Sequence, residues 1–171
     1  MKAISEWFWV LAGILAGLII LSFAVYQIYN TNQAMSEQKT LDQFYKMKNI
    51  IDNLCWSFSG NTEIYEISVA DRVNGIYVSL DKYTQYSLED LKEKILNQEY
   101  SYGNYICIKI ENKRLRCEEL YCNATMPFIG SVPSKFSLSA LINKIFGRGE
   151  ISVYKLKLEK TGTIVNVTLS E

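Results

Sequence analysis

The apolar residues of the chain are concentrated in one stretch, residues 7–28, which reads WFWVLAGILAGLIILSFAVYQI. This stretch contains no charged residue and no proline. As an α-helix it would extend about 33 Å at ~1.5 Å per residue, enough to cross a bilayer core of ~30 Å. The pattern therefore predicts an apolar helix that lies in a membrane or in a bundle of similar helices.

The next residues, 29–55, are mostly polar but keep apolar side chains at the three- and four-residue steps of a helix. One helical face would carry Leu41, Phe44, Lys48, Ile51 and Cys55, with Met47 and Leu54 beside it. Because no proline interrupts residues 7–55, we predict one continuous helix whose second half is an amphipathic stalk. Its apolar stripe is expected to pack on the chain's own globular domain, alone or together with neighbouring subunits.

The remaining residues, 56–171, are expected to form a β-rich head domain. Strands are predicted at residues 62–69, 75–80, 105–110, 114–120, 151–158 and 163–169, with a bulge at Gly75. Two short helices are predicted. The first is capped by Ser87, with Asp90 completing a capping box, and the second covers 137–146. A loop is expected at 126–133. The expected fold is α+β, with the long N-terminal helix against one face of a mostly antiparallel sheet of five or six strands.

Charges around the apolar stretch predict its orientation. Residues 1–6 form a short N-terminal segment, a possible leader, whose only basic side chain is Lys2, and no basic residue follows until Lys39. The excess of positive charge at the N-terminus favours an orientation with the N-terminus on the inner side of the membrane and the head domain on the outer side. A cleaved secretory signal is the alternative, because Ser22-Phe23-Ala24 resembles a cleavage site, although the apolar region of such signals has only ~7–15 residues.

Four cysteines, Cys55, Cys107, Cys117 and Cys122, lie in the part predicted to be outside. An even number of cysteines there favours two disulfides over a zinc site, which would need closer spacing or histidines. A three-residue turn at residues 111–113 places Cys107 opposite Cys117 and leaves Cys55 for Cys122. A two-residue turn shifts the register by one, and Cys55 then takes either remaining partner. We favour the first pairing.

Three further features concern modification and assembly. Asn123-Ala-Thr125 and Asn166-Val-Thr168 match the N-glycosylation pattern. Gly13 and Gly17 form a GxxxG pattern, which lets another helix approach closely. Glu6 precedes the apolar stretch, where it either interacts with the lipid headgroup region and the helix dipole or pairs with the N-terminal amine of a neighbouring subunit.

The composition argues against most enzyme classes. The 171 residues include no histidine, which excludes histidine bases, Ser–His and Cys–His pairs, and HExxH zinc sites. Lysine plus arginine balance aspartate plus glutamate at 18 each, so charge offers no case for a nucleic-acid partner. The acidic pairs Glu89/Asp90 and Glu118/Glu119 are expected on solvated surfaces. We therefore predict no catalytic residues, no metal and no cofactor.

The N-terminal sequence MKAISEWFWVLAGILAGLII, followed by an amphipathic stalk and a cysteine-bearing β-rich domain, resembles type IV pilin-like proteins, the archaeal kind most closely. In that family a prepilin peptidase cleaves just before the apolar helix, and the helices then pack as a filament core beneath exposed heads. The resemblance implies that Lys2 and Ala3 flank the processing site. It also implies that Glu6 is the acid near the new N-terminus and that residues 7–28 form the core helix.

These observations favour a structural subunit of an extracellular pilus-like filament. Its partners would be copies of itself through the N-terminal helix, the membrane before assembly, a prepilin peptidase and the pilus assembly machinery. The alternative is a single-pass, membrane-anchored ectodomain that does not polymerise, such as a minor pilin, an adhesin or an envelope assembly factor.

Overall fold

The computed structural model describes residues 2–131 and 151–170, with side chains described from Trp7 onward. The predicted helix at 137–146 and the end of the predicted loop at 126–133 lie outside these residues. Within them the fold is α+β, as predicted: a long N-terminal helix, a six-stranded mostly antiparallel sheet and one short helix.

The long helix α1 covers Lys2–Trp56, so the predicted continuous helix is confirmed. It starts earlier than the predicted residue 7, and the N-terminal segment is helical from Lys2 onward. No proline occurs in these 55 residues, and at ~1.5 Å per residue the helix is about 82 Å long. It ends where Ser57 bonds back to the Leu54 carbonyl and Gly60 adopts a left-handed φ of 93°.

The six strands follow in chain order. They are β1 Thr62–Val69, β2 Val73–Ser79, β3 Tyr100–Ile110, β4 Arg116–Pro127, β5 Ser152–Thr161 and β6 Ile164–Leu169. The predicted bulge is present, because the β2–β3 register shifts between Val73 and Gly75. The predicted loop start at residue 126 is wrong, since Met126 and Pro127 belong to β4 and pair with Ser101 and Tyr100.

The sheet curls around α1. Its strand order is β1-β5-β6-β4-β3-β2, with β4 and β6 parallel and every other pair antiparallel. A flat sheet of this order would separate the edge strands β1 and β2 by about 24 Å. Val69 and Val73 are only four residues apart, which allows about 14 Å at most. The two edges must therefore approach each other at this end.

One face of α1 and the inner faces of all six strands form the main core. The helix contributes Leu41, Phe44, Met47, Ile51 and Leu54, each at most 7% exposed. Met47 and Leu54, predicted to flank the apolar stripe, are central to it. Lys48, predicted on the stripe, is only half-buried.

A smaller core lies on the opposite face of β2 and β3, beneath the short helix α2, Leu88–Leu96. The predicted capping box is present: Ser87 Oγ accepts from the Asp90 N–H, and the Asp90 carboxylate accepts from the Ser87 N–H. These hydrogen bonds with Ser87 hold the pKa of Asp90 below its usual value. The acid therefore caps a helix, a structural role.

Tyr77 is the largest fully buried side chain of this smaller core, and its hydroxyl donates to the Thr84 carbonyl at 2.9 Å. Burial, and to a lesser extent the neighbouring Tyr86, raises the pKa of Tyr77 to about 12. The neutral phenol is therefore favoured in the folded state, whereas in the unfolded chain it ionises near pH 10. The stability it contributes is complete below pH 10 and is lost as the pH rises towards 12.

We expect the wild-type free energy of unfolding to fall by about 1 kcal/mol more than that of Tyr77→Phe between pH 10 and 11. Urea unfolding of the full chain in detergent, at half-unit pH steps, measures this difference. Tyr121→Phe, which removes the hydroxyl of an exposed tyrosine, is the matched control for the substitution itself. Parallel profiles for wild type and Tyr77→Phe would contradict the burial argument.

Candidate functional site

The apolar half of α1, residues 7–28, is a long exposed apolar surface. Its large apolar side chains are between 47% exposed at Val25 and 79% exposed at Trp9. By length and composition this half of the helix is able to cross a membrane. None of its most apolar 18-residue segment is buried within the chain. Soluble monomers rarely expose apolar patches beyond a few hundred Å². A surface of this kind is typical of segments that contact lipid or another protein.

Gly13 and Gly17 are one helical turn apart on this surface. A Cβ built on either glycine would meet no atom within 4 Å. The groove between them is thus open to the outside of the helix, where a second helix would have access to the backbone. Close helix packing at this position stays a prediction.

The processing and assembly candidates Lys2, Ala3 and Glu6 lie in the first two turns of α1. Their side chains are outside the described part of the structure. The proposed roles of these three residues therefore remain predictions from the resemblance.

The stalk of α1, residues 29–56, is fixed to the head domain by polar contacts as well as by the core. Asp52 is buried, and its Oδ1 accepts the Tyr121 N–H of β4 at 3.0 Å. Its Oδ2 accepts from Lys48 Nζ at 2.5 Å. A buried carboxylate is stable only when it is hydrogen-bonded and paired, as here. Asp52 was not among the residues predicted from the sequence, where its one local signal is a lysine four residues before it.

A second buried carboxylate, Glu37, marks the point where the stalk meets the head. It pairs with Lys113 of the β3–β4 turn and with Arg72 of the β1–β2 turn, whose Nη1 is 3.6 Å from Oε1. Both basic partners are about half exposed. One acid on the helix thus contacts two turns that are distant in sequence. Local periodicity carries no signal for this pairing, which was therefore not predicted.

Stalk side chains also form hydrogen bonds with backbone groups at the edge of β1 that faces no other strand. Gln43 Oε1 accepts the Ser68 N–H at 2.8 Å. Thr40 Oγ1 accepts the Ala70 N–H and donates to the Ser68 carbonyl, both at 3.0 Å. Unpaired groups on an edge strand promote association with other chains. The helix therefore closes the end of β1, and the head and the stalk act as one folded unit.

The disulfides follow the first of the two predicted pairings. Cys107 bonds Cys117 across β3 and β4, where the two residues are in register. Cys55 at the end of α1 bonds Cys122 on β4, with the two Cα atoms 5.7 Å apart. Lys160 Nζ adds a hydrogen bond to the Cys55 carbonyl at 3.0 Å. The end of the stalk is thus covalently attached to the sheet.

The two predicted glycosylation sites are neighbours on the sheet. Asn123 is on β4 and Asn166 on β6, and the parallel register pairs Asn166 with Thr125. Ala124 and Val165 belong to the main core, so alternation places both asparagines on the face away from α1. Both are half-buried, and Asn166 Nδ2 lies 3.3 Å from Thr161 Oγ1. Glycan attachment at either site stays a prediction.

The chain matches no protein-family model, no curated protein and no solved structure. A long apolar N-terminal helix followed by a β-sheet head is compatible with a pilin-like architecture. The resemblance therefore rests on the N-terminal sequence and this architecture.

Proposed function

We propose that this chain is a structural, non-enzymatic subunit of an extracellular type IV pilus-like filament. The apolar halves of the α1 helices would pack as the filament core, and the head domains would face solvent. The observation that carries the proposal is the division of one continuous helix. Its apolar half is exposed throughout, whereas one face of its stalk is buried against the head.

The attachment of the stalk supports assembly through copies of the same helix. The core, the Cys55–Cys122 bond and the ion pairs of Glu37 together hold the head at one position along the helix. Each subunit would therefore present the same apolar rod at the same distance from its head. Identical surfaces repeated in this way build helical assemblies, because every contact recurs from one copy to the next.

The finer parts of the proposal come from the sequence. Processing would occur next to Lys2 and Ala3 by a prepilin peptidase, and Glu6 would pair with a neighbour's new N-terminal amine. Before assembly the apolar half would hold the subunit in the membrane. Asn123 or Asn166 would carry glycan on the exposed head, as in a surface glycoprotein of archaeal type.

A second candidate function is a single-pass, membrane-anchored ectodomain that does not polymerise. The observation in its favour is that the apolar half meets the length and composition of a membrane-crossing helix by itself. Such a protein would serve as a minor pilin, an adhesin or an envelope assembly factor, with its head domain outside the membrane.

Immunogold electron microscopy of cell-surface preparations, with an antibody to the head domain, separates the two functions. The filament proposal expects gold along filaments, together with a native N-terminus shortened by two to four residues in mass spectrometry. Label confined to the envelope, on a chain that retains Met1, would instead identify an anchored ectodomain.

A further inference from the structure

A cleft of about 330 Å³ opens beside the smaller core, at the ends of β2 and β3. Its aromatic wall consists of Tyr86, Tyr100, Tyr102 and Phe128. Tyr100 is 53% and Tyr102 is 44% exposed, so their ring faces are available to a ligand. Tyr86 packs edge-on against Phe128, with ring centroids 5.4 Å apart. This volume lies at the lower end of the usual range for small-ligand pockets, ~300–1,000 Å³.

Polar groups lie among these rings. Tyr100, Tyr102 and Thr84 line the cleft, and the side-chain hydroxyl of each makes no hydrogen bond within the described part of the chain. A hydroxyl group can both donate and accept a hydrogen bond. The cleft therefore combines flat apolar ring faces with hydroxyl groups that suit a ligand rich in hydroxyls.

The ion pair between Lys94 and Glu99 at the cleft is internally neutral. Lys94 Nζ binds Glu99 Oε2 at 2.6 Å and lies 5.6 Å and 5.5 Å from the ring centroids of Tyr86 and Phe128. The lysine charge is therefore already compensated by a carboxylate and two aromatic rings. An anionic ligand would have to displace Glu99, whereas a neutral ligand would not.

The cleft is held in one shape by hydrogen bonds beneath it. Tyr77 ties the loop at Thr84 to β2, and Ser101 Oγ accepts the Val78 N–H and donates to the Met126 carbonyl, both at 3.0 Å. At Gly103 the backbone approaches so closely that a Cβ would lie 2.0 Å from the Ser79 carbonyl. A preformed site loses little conformational entropy when a ligand binds.

We propose that this cleft binds a neutral mono- or disaccharide. The C–H face of a sugar ring would pack on Tyr100 and Tyr102, whose negative ring faces attract polarised C–H groups. Its hydroxyls would bond the tyrosine and threonine hydroxyls. An extended peptide fits less well, because such peptides add to an open strand edge. Here the outer edge of β2 is already paired, through reciprocal hydrogen bonds between Ile76 and Ile129.

This proposal goes beyond the filament proposal and does not depend on it, because the cleft is built from head residues alone. It is tested with the full chain, produced in a host without N-glycosylation and held in a detergent that has no sugar headgroup. Glycans on the neighbouring strands and maltoside detergents would otherwise compete for the cleft. The probes are glucose, galactose, mannose, N-acetylglucosamine, lactose and cellobiose. Saturation-transfer NMR measures the binding of each sugar.

We expect at least one of these sugars to bind saturably, with a Kd of roughly 1 mM or below. Tyr100→Ala and Tyr102→Ala should each weaken that binding roughly fivefold to tenfold. The matched control is Tyr121→Ala, which removes an exposed tyrosine outside the cleft and should leave the Kd unchanged. Near-ultraviolet circular dichroism and disulfide mapping verify that each variant is folded.

Three results would overturn the proposal. One is the absence of binding for all six sugars to the folded wild-type chain. Another is an equal loss of affinity in Tyr121→Ala and Tyr102→Ala. The third is preferential binding of an acidic sugar or a tyrosine-rich peptide supplied as a competitor. None of these results bears on filament formation, which the microscopy tests separately.

Discussion

Replacing Cys55 and Cys122 together with alanine is expected to lower the free energy of unfolding by about 4 kcal/mol. The bond joins residues 67 positions apart, so its removal restores a large conformational entropy to the unfolded chain. It also removes the covalent link between the end of α1 and β4, so that non-covalent contacts such as those of Asp52, Lys160 and the apolar core must hold the helix end to the sheet. Urea unfolding of the full chain in detergent, monitored by near-ultraviolet circular dichroism, measures the loss of stability.

The second disulfide provides a matched control within the same chain. Cys107 and Cys117 are separated by 10 positions, and their joint replacement with alanine should cost roughly 3 kcal/mol by the same reasoning. The long-range bond should therefore be the more stabilising of the two. If the two double variants lost equal stability, or the order were reversed, the entropy of the unfolded chain would not be the main source of the stabilisation.

Introducing leucine at both Gly13 and Gly17 is expected to abolish filaments, provided that the helices pack as proposed. Two leucine side chains would fill the open groove on the apolar half and keep a neighbouring helix from close approach. The head should be unaffected, because neither glycine contacts it. Negative-stain electron microscopy of surface preparations, together with a blot of the membrane fraction, separates loss of assembly from loss of the protein.

Ser22→Leu is the control for this pair. It adds a similar side chain about 180° around the helix from Gly13, at an exposed position whose hydroxyl bonds only to the Leu18 carbonyl of its own helix. Filaments should persist in this variant. Normal filaments in the double glycine variant would show that the core does not use this groove, and loss in both variants would indicate a general sensitivity to bulk.

Much of the secondary structure was predictable because its determinants are local. The helix follows from an apolar run joined to a three- and four-residue repeat without proline, and α2 from the Ser87–Asp90 capping box. Strand alternation identified both hairpins, but the sequence left two registers open for the first of them, and the structure has the favoured one, with Cys107 opposite Cys117. The predicted strand 114–120 ended too early, since β4 continues to Pro127. Its last residues, Met126 and Pro127, pair with Ser101 and Tyr100 beyond a register shift between β3 and β4, and this pairing leaves no local signal.

The candidate functional surfaces divide in the same way. The apolar half with Gly13 and Gly17 is visible in the sequence, since its composition and the spacing of the glycines predict a segment that faces lipid or another helix. The tyrosine cleft is not, because Tyr86, Tyr100 and Phe128 come from three separate segments. Only the pairing of β2 with β3 and of β3 with β4 brings these rings together.

By itself, the sequence determined that one long helix would have an apolar and an amphipathic half, and that a disulfide-bonded β-rich domain would follow. Local periodicity and turn chemistry are sufficient for both. The tertiary structure alone decided the parallel pairing of β4 with β6 and the curling of the sheet around the stalk. It also decided that Asp52, Glu37, Thr40 and Gln43 fasten the helix to the head. These features depend on contacts between residues that are far apart in the chain, which no local pattern encodes.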